Sequence, residues 1–361
     1  MDNKTDHPTV FDGYLAEGKT GALAYAADAV PERVYHAENR FVSKHMLDLV
    51  ADSPQKFRAA MDAEPEEPTP AMKFGSAFHT LVLEPEKFWE RYYLLDDAAA
   101  EALKEVDAEF ATAGSPLALA RERYEATGKL GDLEALFVSR PAEIKVRRGK
   151  AWDEFVSANA GRVIVKDAVA ALHVATAKIC GKEALTAEQF EKLDCMRQAV
   201  LAHAGAGRLF RKFKGESEVT ILSRDAETGT PLKCRVDRIF PNVLGSRIAV
   251  DLKTCASASP EEFARAVANF RYYAQAAFYL RALDEAFPGG EPWTFVFVAV
   301  EKEPPYAVAT YQLSEWLGRG NAEIRKNLNT LKACEESGEW EGYSVENDEL
   351  PMPKWLAAKE V

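Results

Sequence analysis

Apolar and polar residues alternate through LKCRVDRIF (232–240) and RIAVDLKT (247–254), and SEVTILSR (217–224) reads as a third short strand before them. The connectors DAETGTP and PNVLGS each carry Gly and Pro, so the three strands are expected to form a meander. WTFVFVAV (293–300) and YAVATYQL (306–313) predict two further strands. Helical spacing marks SKHMLDLVADSPQKFRAAM (43–61), MKFGSAFHTLVL (72–83) and LTAEQFEKLDCMRQAVLAHA (185–204). Another helix starts at Ser259 as N-cap, with Pro260 at its first position and Glu262 completing a capping box. That helical region runs to about Ala286 with a break near Asn269, and a last helix starts near Ser314. The order of helix, meander, helix, strand, strand, helix predicts an α/β fold, with a central mixed sheet flanked by helices. Residues 1–33 are weakly periodic and read as a loosely ordered tail; 34–335 form the main domain, with 95–140 a helical insertion; 336–361 form an acidic C-terminal tail.

Composition narrows this picture. With 361 residues, 47% of them apolar, the chain can bury a substantial core. No apolar run approaches the ~18 residues of a membrane span. The opening MDNKTDHPTV is polar and acidic, unlike a secretory signal, so a cytoplasmic location and no membrane partner are expected. The five cysteines form no CxxC pair, which argues for reduced thiols and against a zinc or iron–sulfur site. A net charge of −12 disfavours nucleic acid only on average. The stretch 335–350 is strongly acidic, whereas KVRRGK (145–150) and RLFRKFK (208–214) are basic. Arg147, Arg148 and Lys150 are therefore candidate DNA contacts, the alternative being an ordinary solvated face.

The chemistry concentrates on two strands. Parity puts Lys233, Arg235 and Asp237 on one face, and Ala249, Asp251 and Lys253 on one face of the next strand. A turn centred near residue 244 sets Asp237 opposite Asp251. Facing carboxylates repel unless a cation lies between them. Lys253 supplies one positive charge; a divalent ion would supply two, and all-oxygen ligation suits Mg²⁺. The Leu252 carbonyl is a further candidate donor. The alternative is a salt-bridge cluster on an exposed sheet face. Gln275 and Tyr279, at i and i+4, share one face of the helix that follows.

R-V-D … V-D-L-K-T followed by Q-x-x-x-Y resembles the PD-(D/E)XK nuclease core, in its RecB/λ-exonuclease branch. MKFGSAFHTLVLEPEKF (72–88) is similar to the G-x-A-x-H-x-x-x-L-E-P stretch of RecE (exonuclease VIII) nucleases and their phage relatives, and VYH (34–36), SKHMLDLVADSP (43–54) and RRGKAWDEF (147–155) look like the same family. The resemblance implies a restriction-endonuclease-like core, with His79, Asp237, Asp251 and the Leu252 carbonyl as metal ligands and Lys253 as the signature lysine. It also implies that Gln275 and Tyr279 line the site and that Glu218 assists a second metal, although a symmetric first hairpin would turn Glu218 away from Asp237. It implies two Mg²⁺ ions, replaceable by Mn²⁺, and 5′-to-3′ digestion of double-stranded DNA ends that leaves 3′ single strands for recombination. A homo-oligomeric ring and a RecT-like single-strand annealing partner complete the expectation. Val236 stands where the family's proline would be, and Asp251 where glutamate is common.

Two other functions compete. One is a catalytically inactive DNA-binding recombination scaffold. The other is nucleotide binding by GYLAEGKT (Gly13 to Thr20), which fits the P-loop pattern but lacks a preceding apolar strand. A cluster-bearing nuclease of the same fold would need a trio of cysteines near the C-terminus, where Cys334 stands alone.

Overall fold

A computed structural model describes residues 9–19, 21–63, 67–145, 147–343 and 349. Ten strands occur among them: Leu23–Tyr25 (β1), Tyr92–Leu95 (β2), Phe137–Ser139 (β3), Val163–Val165 (β4), Glu183–Thr186 (β5), Glu216–Arg224 (β6), Pro231–Val243 (β7), Ser246–Cys255 (β8), Trp293–Glu301 (β9) and Val308–Gln312 (β10). The chain divides into two compact units, one made of the chain up to Glu67 and from Val200, the other of Pro68–Ala199.

The first unit is built on a six-stranded sheet in the order β1-β6-β7-β8-β9-β10. All neighbours are antiparallel except β8 and β9, which run parallel. A parallel pair needs a crossover; here it holds the helices Pro260–Asn269 and Tyr272–Ala286, the first capped by Ser259 as its sequence predicts. The Tyr272–Ala286 helix packs Ala274, Ala276, Ala277 and Phe278 into a core shared with Val219, Ile221, Val236, Phe295 and Phe297 of the sheet. The helix Leu317–Ser337 adds Ile324, Leu328 and Leu331 to that core.

The N-terminal segment departs from expectation. Residues 10–37 are not a loose tail: they form the helix Val10–Ala16, β1 on the sheet edge and the helix Glu32–Ala37. Phe11, Tyr14, Val30 and Phe41 are buried together against Leu222. This order also removes the P-loop reading. Gly13 lies inside a helix and Tyr14 is buried, whereas a P-loop is a loop between a strand and a helix. Thr20, the last residue of that pattern, lies outside the described residues, as do 1–8, 64–66, 344–348 and 350–361 of the expected tails and loop. The segment 43–61 is two helices, Lys44–Asp52 and Pro54–Asp62, because Ser53 takes an extended conformation before Pro54.

The second unit holds the helix Pro70–Leu83 and two small parallel pairs, β2 with β5 and β3 with β4. Its 95–140 stretch holds the helices Asp97–Ala111 and Pro116–Thr127, whose Ala99, Ala102, Val106 and Leu117 share a core with Val163, Val165 and Val174. Among the described residues no helix is long and apolar enough to cross a membrane.

Candidate active site

Two local features of the meander set the register of its acids. Leu244 and Gly245 both take positive φ at the β7–β8 turn, which suits a tight two-residue hairpin. Continued without interruption, that pairing would put Asp237 opposite Leu252. A bulge between Phe240 and Val243 shifts the register, giving Phe240↔Ile248, Ile239↔Ala249 and Arg238↔Val250. Pro241, which has no N–H to give a ladder, sits within the bulge. One step past the last of these pairs, Asp237 stands across from Asp251. The Leu252 N–H donates to Asp237 Oδ2 at 2.7 Å, so this carboxylate takes a bond that a strand carbonyl would otherwise receive.

The β6–β7 turn corrects the expectation for Glu218. A hairpin symmetric between the strands 217–224 and 232–240 would centre on residue 228, but Arg224↔Pro231 and Ser223↔Leu232 place the centre half a residue earlier. Glu218 therefore falls opposite Asp237, between the pairs Ser217↔Arg238 and Val219↔Val236. Alternation breaks at this point. Val236 and Ile239, three residues apart, both join the same core, and Glu218 takes φ 53°. Carboxylate oxygens of Glu218 and Asp237 lie within 4.8 Å of each other.

Asp251 is only 1% exposed, which excludes an exposed surface salt bridge. Its Oδ1 pairs with Lys253 Nζ at 2.5 Å, and its Oδ2 accepts from the Gln275 side-chain amide. The face of β8 expected to be charged is thus covered by the Tyr272–Ala286 helix rather than by water. Lys253 Nζ also lies 4.9 Å from the centre of the Tyr272 ring and 5.9 Å from that of Phe297. Burial alone would lower the Lys253 pKa, but Asp251, Asp237 and the Tyr272 hydroxyl outweigh it and hold the amine above its usual range. Tyr279 packs edge-on against Phe295 at 5.9 Å. Burial first, then nearby groups including Asp251 and Asp237, keeps its phenol protonated.

Sequence reasoning missed one neighbour and misjudged the surroundings of one lysine. Tyr272 covers the lysine, and its adjacency to Arg271 at a helix start gave no periodic signal. Lys233 was expected beside Asp237 on a charged face; it is 3% exposed and donates to the Tyr35 and Glu38 carbonyls at 2.6 and 2.5 Å.

Residues 148–350 match the family model described as a PDDEXK-like domain of unknown function, DUF3799. The chain belongs to the DUF3799 family. That match takes in Glu218, Asp237, Asp251, Lys253, Gln275 and Tyr279, and leaves His79 and Arg147 outside it. Among solved structures, this DUF3799 chain is similar to a candidate exonuclease from Eubacterium rectale, at 10% identity and TM-score 0.47, covering 93% of this chain and 99% of that one. It is also similar to SSO0001, at 17% identity and TM-score 0.22, covering 38% of this chain and 67% of that one. At such scores neither likeness speaks to activity. No curated protein matches the sequence.

Other expected residues of this DUF3799 protein lie in the second unit. His79 is half-buried on the Pro70–Leu83 helix. Arg147 is held in an ion pair by Glu105, Lys150 pairs loosely with Glu154 at 3.7 Å, and Arg148 is exposed. All five cysteines are free thiols.

Proposed function

We propose that the protein is a Mg²⁺-dependent exodeoxyribonuclease of the RecE-like branch, degrading double-stranded DNA ends 5′ to 3′ and leaving 3′ single strands for recombination. The observation that carries the reading is the buried Asp251, held by Lys253 and Gln275 one step across the ladder from Asp237. PDDEXK-like family membership supports the same chemistry.

The donor set fits a divalent cation. Glu218 and Asp237 bring carboxylate oxygens close together, an arrangement that like charges oppose and a cation favours. These two would hold the ion together with Asp251 and the Leu252 carbonyl, and His79 of the second unit is proposed as a further ligand. Asp251 Oδ1 faces the Lys253 ammonium and Oδ2 accepts from Gln275, and a carboxylate keeps further lone pairs with which Asp251 could join. When bound, a divalent ion lowers the pKa of a water and offsets charge on the phosphate. The protein does the rest. Gln275 fixes the Asp251 carboxylate. Lys253, kept protonated by its acid neighbours, offsets negative charge on the scissile phosphate and orients the attacking water. Tyr279 remains a neutral phenol, able to donate to a phosphate oxygen. Arg147, Arg148 and Lys150 are proposed contacts to the DNA backbone. A homo-oligomeric ring would retain the DNA between cuts, and a RecT-like annealing protein would take the exposed strand.

Polarity is tested with linear duplex carrying a label at either 5′ or 3′ ends. Early release of 5′ label as mononucleotide is expected. Early release of 3′ label, or nicking of closed circles at a similar rate, would reject the exonuclease reading.

A further inference from the structure

Beside the Asp251–Lys253 pair, a line of aromatic rings leads out to solvent. Lys253 Nζ sits 4.9 Å from the Tyr272 ring centre, and Tyr272 stacks on Phe270, with centroids 5.6 Å apart and planes at 27°. Phe270 is the outermost member and is 61% exposed. Phe263, Phe278, Phe295 and Phe297 are buried, and what sets the exposed Phe270 apart is the stack that joins it through Tyr272 to Lys253.

Its position is held by the backbone. The helix Pro260–Asn269 ends immediately before Phe270, and Arg271 adopts φ 52°, a left-handed conformation costly for a residue with a Cβ. That kink starts the next helix at Tyr272. The Arg271 side chain is tied to Asp52 at 2.9 Å and to Glu323 at 3.0 Å. On the other side, Lys44 Nζ donates to the Phe270 carbonyl at 2.9 Å and pairs with Asp48 at 2.6 Å. The tip of this corner is thus clamped from two helices while its ring stays in water.

Resting on the nuclease reading, we infer that Phe270 stacks on a nucleobase of the DNA within about three nucleotides of the scissile phosphate. The geometry suits it. A flat face, already backed by Tyr272, accepts any base without reading its identity. The steps from Lys253 to Tyr272, 4.9 Å, and from Tyr272 to Phe270, 5.6 Å, reach about three nucleotides along a strand that advances about 3.4 Å per nucleotide. Lys44 and Arg271 are already paired with Asp48, Asp52 and Glu323, so the exposed ring, not local positive charge, carries the contact. A base lifted onto Phe270 would leave its duplex stack at the DNA end, so the residue would help separate the strands that the reaction consumes.

The test uses the full-length protein and a 5′-phosphorylated duplex with 2-aminopurine as its terminal base, in Ca²⁺, so that binding is read apart from cleavage. Wild type is expected to change the 2-aminopurine emission. Phe270→Ala should abolish that change and weaken end binding about tenfold, and Phe270→Trp should restore both. With Mg²⁺, Phe270→Ala should slow duplex digestion, and Phe270→Trp should restore the rate. An identical emission change in wild type and Phe270→Ala would overturn the inference while leaving the nuclease reading intact. So would a Phe270-dependent dimer in light scattering whose dissociation accompanies the loss of binding, because the ring would then serve a protein contact. Absence of duplex digestion by wild type would reject the nuclease reading; the emission experiment would still decide whether Phe270 meets a base.

Discussion

Asp225 ties the β6–β7 turn to the helix that carries Gln275, and removing it is a quantitative test of how the site is held. The carboxylate is 1% exposed. It accepts from Arg281 Nη2 at 2.6 Å, from both Nη atoms of Arg325 at 2.8 Å, and from the Thr228 N–H and hydroxyl at 2.9 and 2.8 Å. Burial disfavours its charge, but Arg325, Thr228 and Arg281 prevail and hold the group far below the usual carboxylate range. Breaking a fully buried pair costs about 3–5 kcal/mol. Here Arg281 and Arg325 keep 36% and 29% of their side-chain surface in water and can rehydrate, so Asp225→Ala should cost about 2–4 kcal/mol. In urea, at a slope of about 3 kcal/mol/M, that is a midpoint lower by roughly 1 M. Fluorescence of Trp293, Trp316 and Trp340 follows the unit concerned. Because the folded-state pKa is depressed, the carboxylate's contribution is complete above the unfolded value and is lost as pH falls. The gap between wild type and variant should therefore be full at pH 7 and narrow below about pH 4. An unchanged midpoint at pH 7, or a gap independent of pH, would refute the reasoning.

Three further outcomes are expected. Burial lowers Lys233 to about 8, with Glu38 opposing and Arg235 adding to the shift. Its unfolded value is higher, so its contribution is present at high pH and lost as pH falls through about 8. Wild type should gain up to about 3 kcal/mol on Lys233→Met between pH 7 and pH 10, and a constant difference in urea titrations would contradict this. Gly320→Ala would set a Cβ 2.5 Å from the Tyr273 carbonyl oxygen and 2.9 Å from Ala277, so the Leu317–Ser337 helix must shift, at about 1–3 kcal/mol in thermal or urea unfolding. Gln275→Ala removes a donor from Asp251 and should lower metal-dependent hydrolysis about 10- to 100-fold with little loss of stability. Wild-type rates in that variant would show that Gln275 holds nothing needed.

The sheet was legible because each strand of the meander carries its own turn chemistry, and the Ser259 cap marks the crossover helix by local rules alone. Asp237 and Asp251 could be set face to face from turn length, yet the reason they meet is the bulge at Pro241, which simple hairpin symmetry does not contain. Parity also says which residues share a face but not what covers it. Lys233 looked solvent-facing because its partners are carbonyls of Tyr35 and Glu38, almost two hundred residues earlier in the chain. The N-terminal helix escaped notice for a related reason. In seven residues it buries only Phe11 and Tyr14, too few to establish a period. Glu218 was misplaced by half a residue in the turn centre, enough to send a side chain to the wrong face.

The most direct test is degradation of a linear, 5′-phosphorylated duplex by wild type and by Asp251→Asn, each with Mg²⁺ and with EDTA. Asp251→Asn keeps the size of the side chain while removing the charge that Lys253 and Gln275 are arranged around. The account predicts that wild type releases nucleotides only with Mg²⁺ and that the variant, folded to the same melting temperature within a few degrees, loses at least about a hundredfold in rate. Wild-type digestion in EDTA, or an Asp251→Asn protein as fast as wild type, would contradict it.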